Sequence, residues 1–60
     1  MSANNVLSIN KNTFEILDAD IETSDGVLIG IGSSLEDAIE LAEIYMLENE
    51  VEYGIHFHKK

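Results

Sequence analysis

Apolar and polar positions alternate along three stretches of the chain, with the period of two that is typical of β-strands. The predicted strands cover residues 13–22, 27–32 and 51–58. In the first of them the alternation slips at Ile16 and Leu17. Such a slip indicates either a β-bulge or a strand with apolar contacts on both faces, and the pattern leaves both readings open.

The alternation also predicts which side chains point into the core. In the second strand they are Val27, Ile29 and Ile31. In the third strand they are Val51, Tyr53, Ile55 and Phe57. The outward positions of the third strand are then Glu52, Gly54, His56 and His58.

Two glycine-containing segments are expected to connect or end these strands. Ser24, Asp25 and Gly26 predict a tight hairpin turn, because Asp-Gly tolerates the positive φ angles that such turns require. Gly30 and Gly32 do not begin a dinucleotide-binding loop, since position 35 is leucine and not a third glycine. We expect these two glycines where the backbone closely approaches another element, or on an exposed face.

A period of 3.6 residues predicts one α-helix over residues 34–48. Ser33 or Ser34 can cap its first amides, and Asp37 suits both a capping box and the positive end of the helix. The apolar stripe expected to pack on the sheet consists of Leu35, Ala38, Ile39, Ala42, Tyr45 and Met46.

Together these elements predict a small single α+β domain over residues 1–60, in the order β-β-α-β. One amphipathic helix packs on one face of a three-stranded sheet whose strand order stays open. Val6, Leu7 and Ile9 predict only a brief extended lead-in, because turn-favouring polar residues follow them. Residues 1–5 are expected to be a disordered tail.

Composition narrows the function. The 60 residues include twelve Asp and Glu, and the formal net charge of −9 disfavours binding to nucleic acid or anionic lipid. Such acidity favours basic partners, including proteins whose grooves hold nucleic acid.

The chain has no cysteine, no arginine, no nucleophile motif and little length to enclose a pocket, so we expect a non-enzymatic protein without cofactors. It also has no recognisable signal peptide or membrane-spanning run, which predicts a cytoplasmic protein.

The outer face of the predicted helix concentrates the negative charge. No lysine or arginine occurs in this helix, and its outward acidic residues are Glu36, Asp37, Glu40, Glu43 and Glu48. Ile44 is expected near the middle of the acidic arc and Leu47 near its edge, both partly exposed. An apolar group within a field of carboxylates is typical of a protein-binding face, although isolated exposed apolar residues also occur without a function.

His56 and His58 form an H-x-H pair on one face of the last strand. Two imidazoles at this spacing can bind one metal ion, but a site needs a further ligand, and Glu52 is the one candidate on the same face of that strand. Solvated or partner-contacting histidines are the simpler interpretation, and no metal site is predicted.

The segment SSLEDAIELAE, placed after a hairpin and before a last strand, resembles the helix of a known family. This is the gene 2 protein family of short-tailed coliphages, small inhibitors of bacterial RNA polymerase, whose helix reads very nearly TLDEALELAE. The likeness spans most of the chain, including its length, its Asn-rich Met-Ser start, its β-β-α-β order and the alternation of its second strand. Residues 35–43 match the family helix, and Ile44 stands where the family has an exposed aromatic residue.

The resemblance implies a phage-encoded protein that binds the jaw of the β′ subunit in the downstream DNA channel and blocks open-complex formation. It implies a location in the cytoplasm of the infected bacterial host. The acidic strip would face basic channel elements and affect the mobile N-terminal region of the primary sigma factor. The residues that match this strip are Glu36, Asp37, Glu40 and Glu43.

One feature of that family is absent from this chain. Its last strand carries two arginines that contact the jaw, and here the nearest residues are His56 and His58, displaced by about one position. An imidazole does not reproduce the fixed fork of donors of arginine. The full set of residues predicted to contact a partner is Glu36, Asp37, Glu40, Glu43, Ile44, Leu47, His56 and His58.

Two other functions fit the same sequence. One is an acidic DNA-mimic inhibitor of another nucleic-acid-binding complex, such as a nuclease or a restriction system. The other is a small homo-oligomeric, antitoxin-like interaction module that pairs through an exposed sheet edge, for which the last strand is a candidate. In the polymerase interpretation the chain is expected to be a monomer.

Overall fold

The computed structural model describes residues 4–23 and 25–58, and this part of the chain contains one helix and four strands. The four strands form one sheet in the order β3-β2-β1-β4, and α1 packs on one of its faces. The α+β class and the single helix are confirmed, whereas the prediction of three strands is wrong. The elements are β1 (Asn5–Asn10), β2 (Glu15–Asp20), β3 (Gly26–Ile31), α1 (Leu35–Glu48) and β4 (Ile55–His58).

The additional strand is β1, for which the sequence predicted only a brief lead-in. It lies between β2 and β4, antiparallel to the first and parallel to the second. Leu7 and Ile9 are fully buried beneath α1, so the predicted lead-in provides the centre of the core. The predicted tail is wrong for its last two residues, because Asn5 begins β1 and the carbonyl of Asn4 accepts a hydrogen bond from the amide of Ile21. Residues 1–3 of that tail lie outside the described part.

The first predicted strand begins at Glu15 in the structure, two residues later than predicted. A turn occupies the chain between β1 and β2. The side-chain oxygen of Asn10 accepts hydrogen bonds from the amides of Asn12 and Thr13, at 2.8 and 3.1 Å. The amide of Phe14 donates to the carbonyl of Asn10, and Phe14 has a φ of 65°. This left-handed conformation ends the turn, and β2 starts at Glu15.

Apolar side chains on both faces of β2 explain the slip of alternation in the first predicted strand, and a β-bulge lies opposite it on β3. Ile16 pairs with Gly30 and Leu17 pairs with Leu28, which leaves Ile29 as an extra residue on β3. Ile16 is buried against the helix, while Leu17 lies on the opposite, open face of the sheet. The second reading of the slip therefore holds, since β2 is apolar on both faces and the bulged residue belongs to β3.

Two of the three β3 residues that were predicted to lie in the core are exposed to solvent. Ile29 packs against the core, but Val27 is 67% exposed and Ile31 is 58% exposed. β3 is an edge strand, with a neighbouring strand on one side only, and the bulge at Ile29 shifts the alternation that follows it.

The connection between β2 and β3 is also longer than predicted. The amide of Asp20 donates to the carbonyl of Asp25, so the loop begins at Ile21 and ends before Gly26. The carboxylate of Asp20 accepts hydrogen bonds from the amides of Glu22 and Thr23, which stabilises the first part of the loop. Gly26 is the first residue of β3 and has no positive φ, so it does not take the turn position expected of it, while the predicted turn residue Ser24 lies outside the described residues.

The helix agrees closely with its prediction over residues 34–48. Ser34 is the N-cap, and its hydroxyl accepts a hydrogen bond of 3.1 Å from the amide of Asp37. The carboxylate of Asp37 accepts from the amide and hydroxyl of Ser33, so the capping box closes one residue earlier than expected. The predicted stripe packs on the sheet and consists of Leu35, Ala38, Ile39, Ala42, Tyr45 and Met46.

Gly32 is required where β3 meets the helix. A Cβ atom at this position would lie 2.6 Å from the amide nitrogen of Ala38 and 2.9 Å from its Cβ atom. This confirms the expectation of a close backbone approach for Gly32. Gly30 is different, since a Cβ atom there would meet only Cδ1 of Ile16, at 3.9 Å.

The last strand is shorter than predicted, because only Ile55–His58 is β-structure and the preceding segment is irregular up to Gly54, whose φ is 77°. Val51 and Ile55 pack against the core as expected. Tyr53 and Phe57 are about half exposed, so neither is buried in the core as predicted, although Phe57 pairs with Ile9 and shares its face of the sheet. β4 pairs with β1 alone and is an edge strand, where fewer neighbours are available to cover its side chains.

Candidate protein-binding surface

The acidic residues predicted to contact a partner lie together on α1. Glu36, Asp37, Glu40 and Glu43 line one shallow depression, which we call the acidic helix surface. Three of these side chains are exposed, while Asp37 is half-buried and its carboxylate accepts a hydrogen bond from the amide of Ser33. No basic residue lies in the last turn or elsewhere in the helix, so the helix itself offers no cation to neutralise this surface. Such a surface attracts basic groups over a distance set by ionic strength.

Ile44 and Leu47 are both exposed, as predicted. Leu47 is 86% exposed and follows Glu40 and Glu43 by seven and four residues, which places it on their side of the helix. Ile44 is 51% exposed and lies beside the sheet. Ile44 in turn follows Glu40 by four residues and Asp37 by seven, so both exposed apolar residues border the acidic helix surface.

Ile44 belongs to an apolar groove of about 230 Å³ between α1 and the β3 side of the sheet. We call this the helix–β3 groove. It is lined by four helix residues, Leu41, Ile44, Tyr45 and Glu48, and by Ile16, Ile29 and Gly30 of the sheet. The sequence held a partial signal for it, because Leu41 and Ile44 share one side of the helix, but the position of that side over Gly30 depends on the tertiary fold.

The two predicted histidines do not join the acidic helix surface. His56 and His58 lie on the open face of the sheet, on the side opposite the helix, where they border a depression with Val6, Ser8 and Leu17. Nδ1 of His58 and Oγ of Ser8 are 2.5 Å apart and form a hydrogen bond. A partner that contacts both the histidines and the helix must therefore extend around the β4 edge.

The described residues provide no set of metal ligands around this histidine pair. Within residues 4–23 and 25–58, no three His, Cys, Asp or Glu side chains come together in a way that could hold a metal ion. Glu52, the third ligand considered from sequence, precedes β4, and its amide donates to the side chain of Asn5. Nor does this part of the chain include a helix long and apolar enough to cross a membrane.

A polar network that was not predicted from the sequence connects the helix to the sheet. The hydroxyl of Tyr45 donates to the carboxylate of Asp18 on β2, and Asn5 on β1 donates to the other oxygen of that carboxylate. The hydrogen bond to Asp18 raises the pKa of Tyr45, and partial burial and the negative charge of Asp18 act in the same direction. This network fixes the orientation of α1 and therefore of the surfaces on it.

Comparison of the chain with models of protein families, with curated proteins and with solved structures finds no match in any of the three.

Proposed function

We propose that this chain is a phage-encoded, non-enzymatic inhibitor of bacterial RNA polymerase that acts in the cytoplasm of the infected host. It would bind the β′ jaw within the downstream DNA channel and block open-complex formation. The observation that carries this proposal is the acidic helix surface, whose carboxylates have no basic neighbour on the helix. The resemblance of residues 33–43 to the helix of the coliphage inhibitors supports the same function.

The proposed mechanism is steric and electrostatic. Glu36, Glu40 and Glu43 offer a row of negative charges to groups that otherwise contact DNA phosphates, which speeds encounter and weakens binding as salt rises. The volume of the bound domain then excludes downstream DNA from the channel. The same field would act on the mobile N-terminal region of sigma, as the resemblance implies.

The histidines would provide a second contact on the other face of the domain. His56 is exposed, and His58 is held by Ser8 at the β4 edge. In the proposed complex they occupy the place of the two arginines of the coliphage proteins. Since imidazole lacks the forked donors of arginine, the jaw of the natural target polymerase is expected to present different acceptor groups.

The experiment that tests this function is capture from a bacterial lysate at low and high salt, followed by promoter transcription with purified holoenzyme. The proposal expects recovery of the β′ subunit at low salt and loss of the runoff transcript. Recovery of a nuclease or restriction subunit instead would favour the DNA-mimic function, which uses the same acidic helix surface. Normal transcription at saturating protein would contradict the proposal.

Self-association is a second candidate function, favoured by one observation. β3 is an edge strand without a charged residue, and it exposes Val27, Leu28 and Ile31. Such an edge can pair with a second copy, whereas β4, the edge considered from sequence, is only four residues long. Light scattering across a range of concentrations tests this function, and a monomer at every concentration would exclude it.

A further inference from the structure

The helix–β3 groove has the size of a site for one side chain. Its volume of about 230 Å³ is below the roughly 300–1,000 Å³ of typical small-molecule pockets. Its walls are mostly apolar, and both Leu41 and Ile44 keep a large part of their surface exposed to solvent. Apolar surface of this kind is buried with a gain in free energy when a complementary side chain enters.

Carboxylates stand at both ends of the apolar wall that the helix contributes. Asp37, Leu41, Ile44 and Glu48 follow one another at spacings of four, three and four residues, which places them in one row along the helix. The row therefore reads acidic, apolar, apolar, acidic. A matching partner presents an apolar group between two cations.

We infer that the helix–β3 groove receives one aliphatic or aromatic side chain from a basic protein segment, with lysine or arginine residues on either side of it. The inference rests on the proposed function and specifies its contact, since the segment would belong to the DNA-binding channel of the polymerase. The groove provides the shape-specific part of binding, and the acidic helix surface provides the salt-dependent part.

Gly30 offers a way to fill the groove without disturbing the fold. A Cβ atom there meets only Cδ1 of Ile16, at the ordinary contact distance of 3.9 Å. Gly30→Val therefore places methyl groups inside the groove. Val27→Ala is the control, because it changes an exposed side chain on the same strand that lies outside both the groove and the histidine depression.

The test is the affinity of purified holoenzyme for each full-length variant, measured by biolayer interferometry at three salt concentrations. We expect Gly30→Val to weaken binding about tenfold or more, by the same factor at each salt, because no charge is changed. Val27→Ala should stay within about twofold of the unsubstituted chain. Circular dichroism of both variants establishes that they are folded.

A second pair of variants keeps the inference testable if Gly30→Val does not fold. Ile44→Ala removes part of the groove wall and should weaken binding about tenfold, whereas Leu47→Ala removes an exposed leucine outside the groove and should have a smaller effect. If the unsubstituted chain binds holoenzyme and the folded groove variants bind with the same affinity, the groove contact is overturned and the proposed function is not. Failure of the unsubstituted chain to bind holoenzyme would overturn the proposed function and the groove contact with it.

Discussion

The hydroxyl of Tyr45 on α1 donates a hydrogen bond of 2.5 Å to the carboxylate of Asp18 on β2. The other oxygen of Asp18 accepts from the side-chain amide of Asn5, at 2.9 Å. Asn5 also donates to the carbonyl of Glu50 and accepts from the amide of Glu52, beyond the end of the helix. One carboxylate thus links the helix, two strands and the segment that leads to β4.

This relationship predicts a loss of stability at alkaline pH. The neutral phenol of Tyr45 is the form that donates to Asp18. This hydrogen bond is the largest cause of the rise in the pKa of Tyr45 above 10.0. The stabilisation is complete below the ordinary tyrosine pKa and is lost as pH rises through the raised value. Tyr45→Phe should lower the free energy of unfolding by about 1 kcal/mol at pH 7 and by less above pH 11.

Urea denaturation between pH 7 and pH 11.5 measures this difference. Tyr53→Phe is the matched control, because it removes a hydroxyl from a half-exposed ring outside the network. A difference between Tyr45→Phe and the unsubstituted chain that does not change with pH would contradict the assignment of the hydrogen bond.

A second prediction concerns the close approach of Gly32 to the helix. Gly32→Ala places a methyl group 2.6 Å from the amide nitrogen of Ala38, so strand and helix must move apart. We expect a loss of about 2 kcal/mol or more, since overpacking at rigid backbone typically costs 1–3 kcal/mol. Gly30→Ala meets no such obstacle and serves as the control in thermal unfolding. Equal melting temperatures for the two variants would show that the approach is not as tight as described.

A third prediction tests the central position of β1. Leu7→Ala removes a fully buried side chain and should cost about 3 kcal/mol, within the usual range for leucine in a core. Val27→Ala alters the exposed edge strand and should cost about 0.5 kcal/mol or less. Unfolding in urea measures both changes. The reverse order would restore the sequence-based assignment, in which Val27 faces the core.

Local signals explain why the helix could be predicted almost to the residue. The serine cap and the 3.6-residue stripe lie within the segment itself, and Ser34 and Ala38 adopt the roles that the pattern indicates. β1 could not be predicted in the same way. Its status as a strand depends on pairing with distant residues, such as Leu7 with Ile55, and its polar ends resemble a turn when read alone.

The candidate site was predicted in part for the same reason. The carboxylates of the acidic helix surface follow from helical periodicity, so Glu36, Glu40 and Glu43 were found from sequence. The groove was missed because it needs the bulge at Ile29 and the absence of a side chain at Gly30 beneath the helix. The outward orientation of His56 and His58 was predicted from the alternation of the last strand, and it places them on the sheet face opposite the helix.

The measurement that tests the central claim most directly is open-complex formation by purified holoenzyme with three forms of the protein at equal concentration. These are the unsubstituted chain, Glu40→Lys on the acidic helix surface and Glu22→Lys in the exposed β2–β3 loop, two variants with the same net charge. We predict that the unsubstituted chain and Glu22→Lys block open-complex formation, and that Glu40→Lys requires at least about tenfold more protein. Equal inhibition by the two variants, or no inhibition by any form, would contradict the account.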